Sequence, residues 1–531
     1  MPLRKLILVF GLLNATLYAA LLPLWEGFDE AFHYSYVQTL WQTRRLPVLG
    51  RTLVVSDVSE SFRLAPVSHI VHSEIPVTTS YDQWFALTEI EKQRRRTDLD
   101  LLRPDSGRSS GQNYEAHHPP LAYLCLAVVD WLIEAAPITV RVLTLRLLAA
   151  ALSVSLLYFG MTNLCRTLMV PECFANAALF TIFCSEMFYA TVAHIANDWL
   201  AVGLSALFIA ALAEFVRQPD RRSSLRTALW LTAGLLTKAY FLAFAVLAFG
   251  AGAVLIWRRR TSVRTVLAGA ILVLASAGPW YARSLILYKS VSGTQEAFDG
   301  IGLAQALAAA PRIDWIATAG YLARASLWTG NNSFTSFSRS TLNVMLAFLV
   351  LALAAWVLHK RLIRLPERIV LSAILLFSCA IAYATCASFA HTNGESAGAS
   401  PWYTQVLLAP VLALAYLGMA RWKTFGIVLA IGTTALWSWV LMATWIVKLF
   451  PMYSGARAAP MRIRSIWFWY SQQAGAHLSD LSLLALAPAR LLYIGMFLSM
   501  TLTVLLSAGI IRSLTASFRY HRAAWGHSRT R

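Results

Sequence analysis

Long apolar runs separated by short polar breaks recur along the whole chain. After a first run at 6–25, they fall at 143–164, 174–193, 199–216, 227–237, 240–257, 265–281, 341–358, 369–388, 403–420, 425–447 and 491–511. A helix that crosses the hydrocarbon core needs about 20 mostly apolar residues. The pattern therefore predicts an all-α polytopic membrane protein with about 12 transmembrane helices. Between the first two runs lies a long polar loop, Glu26 to about Val140. Its stretches "EKQRRRTDLD" and "RPDSGRSSGQN" read as solvated loop. Its last part, "NYEAHHPPLAYLCLAVVDWLIEAAP" (113–137), contains an apolar run interrupted by Asp130 and Glu134. Charge at bilayer depth is costly, so this run reads as a juxtamembrane helix lying in the interface.

One pair of runs is short. Arg226 and Arg258 both follow the basic pattern of the inside, which leaves 31 residues, 227–257, for a return crossing. About 40 are needed. Lys238, in "LLTKAYF", falls near the apex of this hairpin and must face water, protein or a bound anion.

Composition agrees with the pattern. Of 531 residues, 58% are hydrophobic and 13% charged, outside the range of soluble domains. The net charge is +19, and its placement decides its meaning. The segments at Arg4-Lys5, 165–173, 217–226, 258–264, 359–368, 421–423 and from Arg512 onward hold 22 basic and 3 acidic residues, a surplus equal to that of the entire chain. Everything else balances. Basic residues confined to short loops of one side follow the positive-inside rule. The charge thus reports topology, and nucleic acid is not an expected partner. Both termini are expected in the cytoplasm, with the chain in the cell's inner (plasma) membrane.

Two further long segments, 282–340 and 448–490, lie outside. The chain divides into a module 1–290, containing the loop 26–140, and a C-terminal module 291–531. No internal repeat or inverted symmetry is visible. Five of the six cysteines lie in or beside apolar runs, the sixth, Cys173, in a short inside connection, and together they form no disulfide framework. The run 6–25 is long for a secretion signal and reads as an uncleaved first span.

Candidate chemistry collects at the outer surface. "WEGFDEAFHYSY" (25–36) places Asp29, Glu30 and His33 directly after the first span. An exposed acidic loop start is the plain reading. Against it, Phe28, Ala31 and Phe32 flank the pair, and a second cluster, Glu115, His117 and His118, ends the same loop. Adjacent carboxylates near a low-dielectric boundary raise each other's pKa, which suits a general base. Glu30, Glu115 and His117 are also candidate ligands for a divalent metal, Mg or Mn, although their spacing matches no standard zinc motif. Pro119-Pro120 would start a helix and aim the residues before it. Equally, 115–120 serves as a helix start with interfacial histidines.

His194, Asn197 and Asp198 ("HIANDWL") lie at an outer turn; His194 and Asp198, four apart, would share a helix face. A polar turn is the simpler reading. Glu186 lies deeper. Lys238 and Arg283 ("GPWYARS") are cations of the outer half of the bilayer and together suit a lipid phosphate, although an arginine there also snorkels to the interface. "SIWFWYSQ" (465–472) reads as an interfacial aromatic belt. His391 and Glu395, before the span opened by "SAGASPWYTQVLLAP" (396–410), are candidates for acceptor contacts.

The order of these stretches resembles the GT-C glycosyltransferase superfamily, which includes protein O-mannosyltransferases and the lipid A aminoarabinose transferase. "FDEAFHY" is similar to its acidic motif in the first external loop, and "EAHHPPLAY" to the motif that ends that loop. There, His118 replaces a lysine often found before the proline. "HIANDWL", "LLTKAYF" and "GPWYARS" resemble later landmarks in the same order. The resemblance covers about residues 1–290. It implies a polyprenyl-phosphate-linked sugar donor, an external lipid-facing site, and inverting single displacement onto a lipid, glycan or protein acceptor. It implies Asp29 as catalytic base beside Glu30, with Lys238, Arg283 and His118 at the donor phosphate. His33, Glu115, His117, His194, Asn197 and Asp198 would line the site. Some members use a divalent metal and others none.

Two other classes fit the same hydropathy. A transporter or flippase of a lipid-linked saccharide would also need intramembrane cations, yet such folds carry repeat symmetry. An O-antigen polymerase or ligase would rely on outer-loop arginine and histidine instead of Asp29.

Overall fold

In a computed structural model, all residues are described except 1–2, 69–70, 72–77, 106, 332–335, 360–362, 396–399, 456–473 and 529–531. Among the described residues, nine helices are long and apolar enough to cross a membrane: Leu3–Leu21, Ile138–Leu168, Asp198–Arg217, Val263–Tyr288, Arg339–Leu358, Leu365–His391, Pro401–Arg421, Thr424–Tyr453 and Ala489–Ser517. A tenth span is broken, with Glu172–Phe183 and Glu186–Val192 meeting at 60°. The chain is therefore a multi-pass, almost wholly helical membrane protein.

These ten coincide with ten of the twelve apolar runs. The other two are the short hairpin, now seen as helices Arg221–Leu235 and Phe241–Trp257 of 15 and 17 residues. Their combined length leaves the Lys238 turn inside the protein rather than beyond it. Leu121–Leu132, 12 residues long, spans only about 18 Å at 1.5 Å per residue. It cannot cross, and it packs along Glu30–Thr43 outside the bundle. The six cysteines are free.

The buried apolar residues form one main cluster that runs through both halves of the chain. Asn14 ties its ends together. The Asn14 amide oxygen accepts from Trp445 Nε1 at 3.2 Å and from Ser499 Oγ at 2.6 Å, joining the first span to two of the last.

The layer formed by the long polar loop is more structured than its polarity suggests. "EKQRRRTDLD" is not loop but part of helix Glu89–Leu101, started by the Thr88 hydroxyl, which accepts from Glu91 N–H. Spacings of three and four residues let Glu91 meet Arg94 and Arg95, and Asp100 meet Arg96, supporting the helix without an apolar face. Lys92 Nζ reaches Asp480 at 2.7 Å. "RPDSGRSSGQN" contributes strand Arg108–Gln112, antiparallel to Leu53–Val55 with Leu53 opposite Gln112. A second sheet pairs Pro66–Val67 with Thr79–Ser80 in parallel. The first pairing returns the end of the loop to its beginning. Asn113 N–H donates to Thr52 O at 2.9 Å, and Asn113 Nδ2 to Phe32 O at 2.9 Å.

A buried arginine fastens this layer to the bundle. The Arg141 guanidinium, on the first turn of Ile138–Leu168, grips Asp130 through Nε–Oδ1 at 2.9 Å and Nη2–Oδ2 at 2.6 Å. Trp41 Nε1 also donates to Asp130 at 2.7 Å, and Gln38 links Arg141 to Asp57. Arg141 and Asp130 are both 0% exposed. Asp130 thus enters the protein side of the interfacial helix, and this explains how an acid fits within an apolar run.

Arg141→Leu strands the buried Asp130 charge and is expected to cost about 3–5 kcal/mol. The readouts are a lower thermal midpoint of the detergent-purified protein and faster proteolysis of the 81–112 region. Arg141→Leu with Asp130→Leu should recover most of the loss; equal damage in the double variant would refute the pairing.

Candidate active site

The chain leaves its first span through a compressed turn. Trp25 and Asp29 adopt left-handed backbone, with φ of 62° and 54°. A Cβ added to Gly27 would lie 2.4 Å from His194 Cβ, so only glycine permits the turn to press against the 193–197 segment. Asp29 occupies the N-cap position of Glu30–Thr43 but makes no capping hydrogen bond. Its carboxyl is turned instead to Tyr114, whose hydroxyl donates to Oδ1 at 2.7 Å. The Tyr114 ring packs on Phe32 at 4.3 Å between centroids.

Asp29 and Tyr114 face a cavity of about 540 Å³, walled also by Trp25, Phe62, Gln295 and Ser388. Burial, reinforced by the Glu115 charge, pushes the Asp29 carboxyl up to about 7, against the lowering effects of Tyr114 and Lys238. The residue is half-buried, not sealed. It is therefore a carboxyl held near neutrality that a ligand can reach.

Glu30, one residue on, has the opposite environment. Helical geometry turns it inward, where Arg146 clasps it through Nε–Oε1 at 2.7 Å and Nη2–Oε2 at 2.5 Å. The Ile195 N–H also donates to Oε1 at 3.0 Å. Burial raises the Glu30 pKa, but Arg146, His194 and the Ile195 N–H more than offset it and hold it below the ordinary value. Arg146 further donates to the carbonyls of Ala19, Leu22 and Pro23, the orphan acceptors at the end of the first span.

The second cluster meets the first from above. His118 Nε2 lies 2.7 Å from Glu115 Oε2, and His33 Nδ1 lies 3.6 Å from the same oxygen. His33 Nδ1 pairs with Tyr123 Oη at 2.8 Å, and His117 Nδ1–H donates to Tyr114 O at 2.7 Å. Burial raises Glu115 and holds His117 and His118 down at about 3. His33 is lowered in the same way. Near pH 7 the three histidines are neutral, so His118 brings one N–H donor to this site and no charge.

Lys238, in the turn between the short helices, is buried. Its Nζ is 2.5 Å from Asp198 Oδ2 and 4.5 Å from the Tyr403 ring centre. Its charge acts on Asp29, Glu115, His33, His117 and His118, which makes it the cation of the group. His194 and Asp198 do not share a helix face. His194 lies in the turn before helix Asp198–Arg217 and meets Phe28, ring to ring at 6.0 Å, whereas Asp198 turns to Lys238. The Asn197 amide is fully buried.

The other candidates lie apart. Arg283 stacks on Trp280 at 4.8 Å and donates to Pro47 O at 2.8 Å. It reaches the cluster only through Tyr36, whose hydroxyl donates to His118 O at 2.9 Å. His391 pairs with Asp299 at 2.9 Å. Glu186 is buried at the bend of the broken span. The belt 465–472 and the start of 396–410 lie outside the described residues.

Tyr114, Tyr403 and Arg146 were not singled out in the sequence. Arg146 carried a signal, since it falls inside the run 143–164 and an arginine within a span demands a partner. Tyr114 and Tyr403 carried none. Among the described residues no group of three or more His, Cys, Asp or Glu side chains is arranged to hold a metal ion. Glu30 is committed to Arg146, whereas His117, with Nδ1–H on a carbonyl, keeps its Nε2 lone pair.

No family model and no curated protein matches the chain. Among solved structures it is similar to ArnT from Cupriavidus metallidurans bound to undecaprenyl phosphate, with 12% identity over 96% of this chain and 77% of that one and a TM-score of 0.45. The apo state of the same protein gives 14% identity over 85% and 74%, with a TM-score of 0.40. The functional reading rests on this chain's own residues.

Glu30→Gln leaves Arg146 buried without its counter-charge. The expected cost is about 3–5 kcal/mol, seen as a fall in thermal midpoint at neutral pH. Because the folded pKa is depressed, the stability of the pair is present above the unfolded carboxylate pKa and is lost as pH falls through the lower folded value. The parent's midpoint should therefore drop on acidification by more than the variant's.

Proposed function

We propose that this chain is a membrane glycosyltransferase of the GT-C type. In this reading it moves a sugar from a polyprenyl-phosphate-linked donor to an acceptor at the external face. The observation that carries it is the Asp29 carboxyl, held near neutrality, open to a cavity at the end of the first span and grouped with the Lys238 ammonium. A transferase needs a base for the acceptor's proton and a cation for the departing phosphate, and both are present.

The step balances as a single displacement. Asp29 takes the proton of an acceptor hydroxyl or amine as that atom bonds to the anomeric carbon. The bond from that carbon to the lipid phosphate oxygen breaks, its electron pair leaves with the phosphate, and configuration inverts. Tyr114 orients the base. Lys238 retains donors beyond the one given to Asp198, and in a low-dielectric site each stabilises the leaving phosphate strongly. The neutral imidazole of His118 has one N–H for the sugar or phosphate, while His117, whose Nδ1–H is held by Tyr114 O, offers Nε2 as an acceptor to a sugar hydroxyl. Glu30 supports Asp29 through its bond to Arg146.

Asp29→Asn should lower transfer from a purified polyprenyl-phosphate sugar by on the order of 10²–10⁴-fold; unchanged turnover would sink the assignment and favour a polymerase or ligase, and no turnover by the parent protein would favour a transporter. Because the base must be ionised, kcat/KM should rise with pH through about 7 and then level off. Tyr114→Phe removes a hydrogen bond that favours the charged form, so the rise should move to higher pH. A limb that stays in place would mean that Asp29 is not the titrating base.

A further inference from the structure

On the opposite side of the bundle a second cavity opens toward the lipid. It has a volume of about 580 Å³, within the roughly 300–1,000 Å³ range of ligand pockets. Its walls are helices Phe241–Trp257 and Leu365–His391. Its middle is apolar and lined by small and branched residues, among them Gly250, Ala251, Val254 and Leu376. One end carries Arg258, Arg260 and Arg368. These belong to the basic segments 258–264 and 359–368, which the charge distribution assigns to the inside. All three are exposed, and among the described residues none pairs with a carboxylate. The acids nearby are already committed, Glu214 to Arg226 and Glu367 to Arg421.

We infer that this groove is a binding site for an anionic phospholipid of the inner leaflet. The acyl chain lies along Gly250 and Ala251, and the phosphate sits among Arg258, Arg260 and Arg368. Two features select this occupant. The groove is open on its lipid side, where Val246 and Leu375 are 63% and 56% exposed, so a chain enters from the bilayer. Three unpaired guanidiniums at headgroup level match a phosphodiester, whose oxygens accept bidentate N–H bonds. The groove runs between the two helices where residues 246–260 face residues 365–376. The site is independent of the transferase reading, and its test uses no turnover.

Purified protein in detergent is titrated with phosphatidylglycerol and with phosphatidylcholine of the same acyl chains, and bound lipid is counted by native mass spectrometry. Phosphatidylglycerol is expected to bind roughly tenfold tighter. Arg258→Gln/Arg260→Gln/Arg368→Gln should weaken it by on the order of a hundredfold, at about one factor of five per charge. The control Arg221→Gln/Arg222→Gln/Arg264→Gln removes the same charge from the same side but lies off the groove and should have little effect. A Cβ at Gly250 meets nothing within 4 Å, so Gly250→Phe fills the channel without disturbing the fold and should abolish binding of both lipids. Equal affinity for the two lipids, equal loss in the control, or unchanged binding in Gly250→Phe would each overturn the site. Tighter binding of undecaprenyl phosphate than of phosphatidylglycerol would overturn the occupant.

Discussion

The ion pair between Glu30 and Arg146 sets the position of everything at the outer face. Both side chains are sealed from water, and neither charge is tolerable there alone. Arg146 also collects the last carbonyls of the first span. The pair therefore fixes where that span ends, where helix Glu30–Thr43 begins, and how the two are angled. Asp29 lies at the joint. Its left-handed backbone follows from the turn that the pair enforces, and its side chain is left pointing at Tyr114 and the cavity.

Adjacent carboxylates thus acquire opposite characters from opposite neighbours. Glu30 is held ionised by a guanidinium and a backbone N–H. Asp29, lifted by burial and by Glu115, is held near neutrality. The same low dielectric strips charge from His33, His117 and His118, leaving Lys238 as the cation whose field crosses the group. A site assembled this way has few charges, each acting at short range in a poorly screening medium.

The two faces of the protein divide the work of burying charge differently. Arg141 and Arg146 are drawn into the structure and matched with acids, Arg141 with Asp130 and Asp57 and Arg146 with Glu30. At the other end, Arg258, Arg260 and Arg368 stay at the surface beside an apolar groove. A short hairpin links both situations, because its turn delivers Lys238 to the Asp29 site while its second helix, Phe241–Trp257, walls the groove.

Much of this was legible in the chain itself. Apolar runs about as long as the bilayer is thick dictated the helical class, and among the described residues nine of the twelve became long apolar helices and a tenth a helix pair bent by 60°. The count of 31 residues between Arg226 and Arg258 foretold a hairpin too short to cross and a lysine inside the protein. Local composition alone governs both effects. The sequence also drew attention to Asp29 and to the cluster at 115–118. It did not separate Asp29 from Glu30, foresee neutral histidines, or find Tyr114 and Tyr403. It read the charged stretch 91–100 as loop, since a helix held by ion pairs lacks the apolar stripe that reveals one. Those properties depend on which groups from distant segments share a dry space, and a pKa or a partner is set by that neighbourhood and not by adjacent residues. Local pattern determined what must cross the membrane; only the packing of helices 116 residues apart in sequence, at Glu30 and Arg146, decided which acid remained free to act.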